Sequence, residues 1–262
     1  MTPSFKLICT DLDRTFLNAQ GQPSPQNANA IRQAVAAGYA FVVASGRRLA
    51  SIAALYQALG VRGDKIFFNG ACIADADNQV IAGTALTPAQ LTTLMAIGQQ
   101  FGLNLSLSAL EAGFEYVPPT ATWVPGYLNV LPHDLTALTT AVQTTTIYKL
   151  SFSGERPALE AAAAAVRAQT AVTCSWTDTH FLEMTAPGVN KLTGLRHLSA
   201  LRGIAMTATV AFGDYENDAA LLHGAGLGVA MSNALPMVQA AANQVVDNRA
   251  FDGVAQVVRT LL

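Results

Sequence analysis

The sequence predicts an α/β fold in which a parallel sheet is interrupted by an inserted module. Residues 5–10 (FKLICT), 40–44 (AFVVA) and 208–212 (ATVAF) are apolar runs without alternation. Such runs are typical of strands that are buried on both faces of a parallel sheet. Helical patterns separate the runs, and strand–helix–strand series of this kind form parallel sheets with right-handed crossovers.

The first and last parts of the chain contain the elements of this sheet. Ser24 is a candidate N-cap with Pro25 at the first helical position, so a helix is expected from there to Gly38. A second helix closes near Gly60, and residues 65–68 form a third strand. After Pro187-Gly188 the alternation of helices and strands resumes. The predicted elements are a helix at 191–201, the ATVAF strand, a helix, a strand at 227–231 and a final strand and helix.

The middle of the chain has a different pattern. Polar and apolar residues alternate in Asn104-Leu105-Ser106-Leu107, which indicates a sheet with one wet face and therefore an α+β module. We expect the core to comprise residues 1–82 and 187–262, and the inserted domain residues 83–186. The predicted helices of the insert are 88–101, 133–142 and 156–169, and its predicted strands are 103–107, 114–117, 147–152, 172–176 and 181–184.

The composition excludes several classes of protein. Of the 262 residues 51% are hydrophobic and 12% are charged, with a net charge of −2, so disorder and nucleic-acid binding are disfavoured. The chain has no apolar run of about 18 residues that could span a membrane, and its N-terminus lacks the pattern of a signal peptide. Three cysteines without CxxC spacing favour a reducing cytoplasm. We expect a monomer or weak homo-oligomer without nucleic-acid or membrane partners.

Acidic residues follow the predicted strands at the sheet edge where ligands of parallel sheets bind. Asp11 and Asp13 follow the first strand, and Asp214 and Asp218 follow the ATVAF strand. Like charges in one crevice raise each other's pKa and call for a cation. Because all candidate ligands are oxygens, the cation is expected to be Mg²⁺.

Other residues near this edge are suited to hold a phosphate. The Ser45 hydroxyl and the Gly46 amide can donate hydrogen bonds to phosphoryl oxygens, and Lys191 supplies a positive charge. Asp11 can then attack phosphorus to form an aspartyl phosphate. Asp13 can protonate the leaving oxygen and later deprotonate water.

These motifs, in this order, resemble those of the haloacid-dehalogenase-like (HAD) phosphatases. The four segments are DLDRT, the SGR turn, Lys191 and GDYEND, and the insert lies where the Cof-type subfamily has a large α+β cap. The resemblance implies a Rossmann-like core with that cap. It also implies that Asp11, the Asp13 carbonyl and Asp214 bind Mg²⁺, that Asp218 supports its water shell, and that Asn217 helps to hold the phosphoryl group. One departure is Arg14, where the family usually has glycine.

Three functions are therefore open. The first is a Mg²⁺-dependent phosphatase that hydrolyses a small phosphorylated metabolite, with sugar phosphates as the expected class. The second is a phosphomutase or phosphotransferase, in which the phosphoryl group passes to a sugar hydroxyl instead of water. The third is a non-catalytic phosphometabolite-binding protein, if Arg14 disables turnover.

Overall fold

The computed structural model describes residues 5–125 and 135–262, which form two compact units. The first unit comprises residues 5–82 and 190–262. The second comprises residues 83–125 and 135–189. No helix in the described ranges is long and apolar enough to span a bilayer.

The first unit is built on an eight-stranded sheet with the order β13-β12-β11-β1-β2-β3-β4-β5. The six strands from β13 to β3 are parallel, and β4 runs antiparallel to β3. Residues of β1 and β11 are completely buried, as apolar runs without alternation predict. The strands are β1 (Leu7–Thr10), β2 (Ala40–Ala44), β3 (Lys65–Phe67), β4 (Cys72–Ala74), β5 (Val80–Gly83), β11 (Thr209–Gly213), β12 (Leu227–Met231) and β13 (Gln244–Val246).

Side-chain caps fix where two helices of this unit begin. The Ser24 hydroxyl accepts a hydrogen bond from the Asn27 amide at 3.1 Å, and Pro25 occupies the first position of α1. Asn190 and Thr193 form a capping box at the start of α6. The helices are α1 (Pro25–Ala36), α2 (Leu49–Leu59), α6 (Lys191–Leu201), α7 (Ala219–Gly224), α8 (Pro236–Ala241) and α9 (Gly253–Leu261).

The second unit is an α+β module with a five-stranded antiparallel sheet of order β7-β6-β8-β10-β9. Leu150 and Phe152 of β8 are fully buried, while the alternating residue Lys149 forms an ion pair with Glu183 of β10. The elements are α3 (Pro88–Gln100), β6 (Asn104–Ser108), β7 (Gly113–Tyr116), α4 (Thr136–Thr144), β8 (Lys149–Ser153), α5 (Arg156–Gln169), β9 (Thr173–Asp178) and β10 (Phe181–Thr185).

The predicted fold class, an α/β core with an inserted α+β module, is confirmed. The helices predicted at 156–169 and 191–201 and the strands predicted at 40–44 and 227–231 have the observed bounds. The prediction omitted β4 and β5, which are too short for their periodicity to be read, and it omitted α8. The predicted start of α4 at His133 lies outside the described residues.

A close approach of two backbones positions the first turn of α6. Gly70 ends the turn that follows β3, with φ = 98°, and a Cβ there would lie 2.1 Å from the carbonyl oxygen of Asn190. Asn190 is the N-cap of α6, and Lys191 is the first residue of that helix. Only glycine therefore allows the turn after β3 to support the helix end that carries Lys191.

We predict that Gly70→Ala destabilises the protein by about 2 kcal/mol more than Gly203→Ala. Both glycines have positive φ, but the space around Gly203 is open. The control Gly203→Ala is therefore destabilised only by backbone strain, whereas Gly70→Ala also has a steric clash. Urea denaturation followed by circular dichroism measures the difference. Equal losses for the two variants would contradict the close-packing account.

Candidate active site

The candidate catalytic residues lie at the carboxyl ends of three neighbouring strands. The strand order places β1 between β11 and β2, with Thr10 paired to Phe212 on one side and to Val43 on the other. Asp11 directly follows β1, and its amide donates to the Phe212 carbonyl at 3.0 Å. Asp214 follows β11 and Ser45 follows β2. The parallel register thus brings residues that are distant in sequence to one edge of the sheet.

Three carboxylates form a buried cluster at this edge. Asp11, Asp214 and Asp218 each offer an oxygen within 4.8 Å of the others. The Lys191 ammonium lies 2.7 Å from Oδ1 of Asp11 and 2.7 Å from Oδ1 of Asp218. Since the Lys191 side chain is only 1% exposed, its charge is compensated by these carboxylates and not by water.

Asp218 is fixed by the turn in which it lies. Its Oδ2 accepts hydrogen bonds from the amides of Asp214 at 3.1 Å and Tyr215 at 3.2 Å, while its Oδ1 accepts from Lys191. Gly213 permits this turn, because a Cβ there would lie 2.4 Å from the Cβ of Asp218. Asp218 therefore orients both Lys191 and the backbone of Asp214.

Burial and mutual repulsion perturb the titration of the cluster. Burial raises the pKa of Asp11 above its usual range, and the Asp218 charge adds to this rise while Lys191 opposes it. Burial and Asp218 likewise raise the pKa of Asp214 to about 6, against the hydrogen bond from Thr15 and the charge of Arg14. Burial disfavours the charged form of Lys191, but the charges of Asp11 and Asp218 outweigh this effect and raise its pKa. Carboxylates held together against their repulsion are suited to bind a cation.

The donor set fits a hard divalent cation. Asp11 and Asp214 offer carboxylate oxygens, and the Thr15 hydroxyl donates to Oδ1 of Asp214 at 2.8 Å and fixes that side chain. Oxygen-only ligands with one or two carboxylates are the usual environment of Mg²⁺. These residues are therefore compatible with a divalent metal site.

Asp13 is not part of this cluster. Its side chain is 57% exposed and forms a two-pronged ion pair with Arg47, at 3.0 Å from Nε to Oδ2 and 2.5 Å from the terminal nitrogen to Oδ1. Asp13 lies two residues beyond Asp11, in the turn after β1, and its carboxylate points to a different partner. This separation suits a group that exchanges protons while Asp11 stays buried.

Two of the predicted phosphate-binding residues, Ser45 and Asn217, are connected through Asn69. Ser45 is buried, its carbonyl accepts from the Asn69 amide at 3.0 Å, and its hydroxyl oxygen accepts from the Arg47 amide at 3.3 Å. The Asn217 amide group donates to Oδ1 of Asn69 at 3.3 Å. Gly46 follows Ser45 in the same turn, and Lys191 contacts carboxylates as described above. Asn69 thus connects the turn after β2 with the turn after β11.

Sequence reasoning missed two ion pairs of the site. Arg47 was recognised as part of the SGR turn, but its pairing with Asp13 across 34 positions was not predicted. Arg14 was recognised as unusual, yet its Nε lies 3.4 Å from Oδ2 of Asp214, a contact no local pattern indicates. The sequence shows that each arginine directly follows a predicted site residue, Asp13 or Gly46, but this position does not indicate the partner of the arginine.

Comparison with known proteins identifies relatives across almost the whole chain. Residues 8–258 match the family model of haloacid dehalogenase-like hydrolases. A pyridoxal phosphate phosphatase of Escherichia coli K12 is 28% identical over 96% of this chain and 96% of its own. A 5-amino-6-(5-phospho-D-ribitylamino)uracil phosphatase of Bacillus subtilis is 26% identical over 97% and 94%. The solved structure of a HAD subclass IIB sugar phosphatase is similar with a TM-score of 0.84, at 20% identity over 98% of this chain and 100% of that one.

We predict that Asp214→Asn stabilises the metal-stripped protein at pH 7.5 by about 3 kcal/mol. The folded-state pKa of Asp214, about 6, lies above the ordinary value of 3.8. Protonated Asp214 therefore favours the folded protein in acid, and this stabilisation is lost as the pH rises through about 6. Asparagine does not ionise, so the variant has no such loss. Urea unfolding in EDTA between pH 4 and 7.5 should show the two proteins converging at the acidic end.

The matched control is Asp247→Asn, which changes the net charge equally. Asp247 is exposed, and hydrogen bonds from Arg249 lower its pKa to about 2, so its substitution should not stabilise the protein at pH 7.5. An Asp214→Asn variant that is less stable than the wild type at pH 7.5 would contradict the predicted cost of burying the Asp214 charge beside Asp218.

Proposed function

The chain belongs to the haloacid dehalogenase-like hydrolase family and is a phosphoric monoester hydrolase of the Cof type, and we propose that it is a magnesium-dependent phosphatase of small phosphorylated metabolites. Sugar phosphates are the proposed substrate class, and an aspartyl phosphate is the proposed intermediate. The observation that carries this proposal is the position of Lys191 between Asp11 and Asp218, with Asp214 beside them.

In the proposed reaction Asp11 is the nucleophile. A carboxylate oxygen of Asp11 forms a bond to phosphorus while the bond from phosphorus to the leaving oxygen breaks. Asp13 enters this step in its protonated form and gives that proton to the leaving oxygen, so the alcohol departs neutral and Asp13 becomes a carboxylate. Asp13 then accepts a proton from water as the water oxygen attacks the aspartyl phosphate, which releases inorganic phosphate and restores Asp11.

The surrounding residues hold the phosphoryl group during both steps. Lys191 contributes a buried positive charge, and the Ser45 hydroxyl, the Gly46 amide and Asn217 contribute hydrogen-bond donors. Asp11, the Asp13 carbonyl and Asp214 are the proposed ligands of Mg²⁺, with Asp218 supporting its water shell. When bound, the ion would neutralise charge on the phosphoryl oxygens and so favour attack by an anionic carboxylate.

The proposal of a small phosphorylated substrate is supported by the names of the relatives. The two curated relatives are named for pyridoxal phosphate and for a phosphorylated ribitylamino-uracil, and a structural neighbour is a sugar phosphatase. All three names refer to phosphorylated small molecules. A cytoplasmic location and a monomeric or weakly associating state stay predictions.

We predict that the wild-type protein releases phosphate from an aryl phosphate and from a panel of sugar phosphates, and that Asp11→Asn lowers kcat at least about 10³-fold. Asparagine keeps the shape of the side chain but lacks a nucleophilic oxygen anion. EDTA should abolish the activity, and Mg²⁺ should restore it. Phosphate release is measured with a colorimetric assay under identical conditions for both proteins.

The same experiment separates the remaining functions. Transfer of the phosphoryl group to an added sugar, detected by mass spectrometry in place of free phosphate, would favour a phosphomutase or phosphotransferase. Binding of phosphorylated sugars without turnover would favour a non-catalytic phosphometabolite-binding protein. Either result, or equal activity of Asp11→Asn, would contradict the phosphatase proposal.

We also predict that Arg47→Gln lowers kcat/KM about tenfold or more, because Asp13 loses the two-pronged contact that orients its carboxylate. Arg48→Gln is the matched control, since it removes the same charge from the adjacent residue, which caps α2 through its backbone alone. Steady-state kinetics on the best substrate of the panel measures both variants. If the two substitutions have the same effect, the loss reflects net charge and not the orientation of Asp13.

A further inference from the structure

Arg14 occupies a backbone conformation that glycine would adopt more easily. Its φ is 62°, in the left-handed region, directly after Asp13 in the turn that follows β1. The carbonyl oxygen of Arg14 accepts hydrogen bonds from the side-chain amides of Asn248 at 2.9 Å and Asn233 at 3.2 Å. These asparagines follow β13 and β12, so residues after two neighbouring strands hold the backbone of the turn at Arg14.

The guanidinium group of Arg14 is held against the acidic cluster. Its Nε lies 3.4 Å from Oδ2 of Asp214, and its central carbon lies 4.6 Å from the ring centre of Tyr215. The side-chain amide of Asn233 lies 3.4 Å from the same Oδ2. Because Asp214 is 2% exposed while Arg14 is 42% exposed, the arginine contacts the buried carboxylate from its solvent side.

The contact between Arg14 and Asp214 would make the surroundings of a metal ion at Asp214 less negative. Asp11, Asp214 and Asp218 carry the negative charges of the cluster, and Lys191 already compensates two of them. Lys191 forms ion pairs with Asp11 and Asp218, whereas Asp214 forms its ion pair with Arg14. A fixed cation beside that carboxylate repels a second cation and competes for its oxygen.

We propose that Arg14 is an internal competitor of the divalent metal at Asp214, which weakens metal binding and makes loading of the site depend on the free metal concentration. The inference rests on the proposed function, because it takes Asp214 as a metal ligand. It also accounts for a charged residue in a position where the backbone favours glycine. The ion pair orients Asp214 when the site holds no cation, and the arginine yields part of that contact when a cation binds.

The test is the affinity of the EDTA-stripped full-length chain for MgCl₂ alone, measured by isothermal titration calorimetry without substrate. Arg14→Gln should bind Mg²⁺ about tenfold more tightly than the wild type, because a neighbouring positive charge is removed. Arg14→Gly should bind at least as tightly as Arg14→Gln and should fold readily, since glycine is favoured at this φ. Arg14→Lys keeps the charge and should stay within about twofold of the wild type.

Arg249→Gln is the matched control for net charge. Arg249 is exposed and pairs with Asp247, so its loss removes one positive charge from the protein without touching Asp214. The rise in thermal unfolding temperature on adding Mg²⁺ gives a second readout. This Mg²⁺-induced rise should be larger for Arg14→Gln than for the wild type. For Arg249→Gln it should equal that of the wild type.

Unchanged or weaker Mg²⁺ binding by both Arg14→Gln and Arg14→Gly would overturn the proposal, as would an equal gain in Arg249→Gln. Failure of the underlying metal site is recognised separately through Asp214→Asn. If that variant binds Mg²⁺ as the wild type does, Asp214 is not a ligand and both proposals fall. If it loses binding while the Arg14 variants behave as wild type, the metal site stands and the role of Arg14 is wrong.

Discussion

The ion pairs that Lys191 makes with Asp11 and Asp218 are the interaction on which the arrangement of this site depends. A buried ammonium is tolerated only where carboxylates compensate it, and breaking such a pair by removing one partner costs about 3–5 kcal/mol. Lys191 begins α6, whose start is fixed by its capping box and by the close approach of Gly70 to Asn190. The lysine therefore joins one helix to the ends of β1 and β11 through charge.

The carboxyl edge of this sheet brings charged side chains together at a cost to the stability of the folded protein. Four carboxylates, those of Asp11, Asp13, Asp214 and Asp218, are met by the cations of Arg14, Arg47 and Lys191. Burial raises the pKa of both Asp11 and Asp214, which means that their ionised forms are held at an energetic cost. Such a cost is typical of sites that gain it back on binding a cation and an anionic substrate. A protein with only 12% charged residues thus concentrates opposite charges at one edge of one sheet.

Much of the fold could be predicted because local signals agree with the tertiary structure. The apolar run of β2 is buried as a central strand, and Ser24 and Pro25 mark the start of α1 by known capping chemistry. β4 and β5 were missed because strands of three or four residues show no clear period, and Val80 and Ile81 of β5 are exposed. The antiparallel pairing of β4 with β3 follows a turn with positive φ at Phe68, Asn69 and Gly70. The Asn-Gly pair favours such a turn, but a left-handed phenylalanine at position 68 has no local sequence signal.

The strand order determines which residues of the candidate site lie together, and this part of the site was predictable from the sequence. Once Asp11, Ser45 and Asp214 follow adjacent parallel strands, their proximity is a consequence of the sheet. The pairing of Arg47 with Asp13 and of Arg14 with Asp214 depends on side-chain directions within two turns, and sequence separation carries no information about these directions. The same holds for Asn69, whose backbone and side chain join the Ser45 and Asn217 turns.

The most direct measurement of the central claim is the identity of the residue that carries the phosphoryl group during turnover. The wild-type protein would be mixed with a sugar phosphate and Mg²⁺, quenched in acid within the first turnover, digested and analysed by mass spectrometry. The account predicts one phosphorylated peptide, with the added phosphoryl group on Asp11. Phosphorylation of Asp13 or of another residue, or full turnover with no phosphorylated peptide at any quench time, would contradict it.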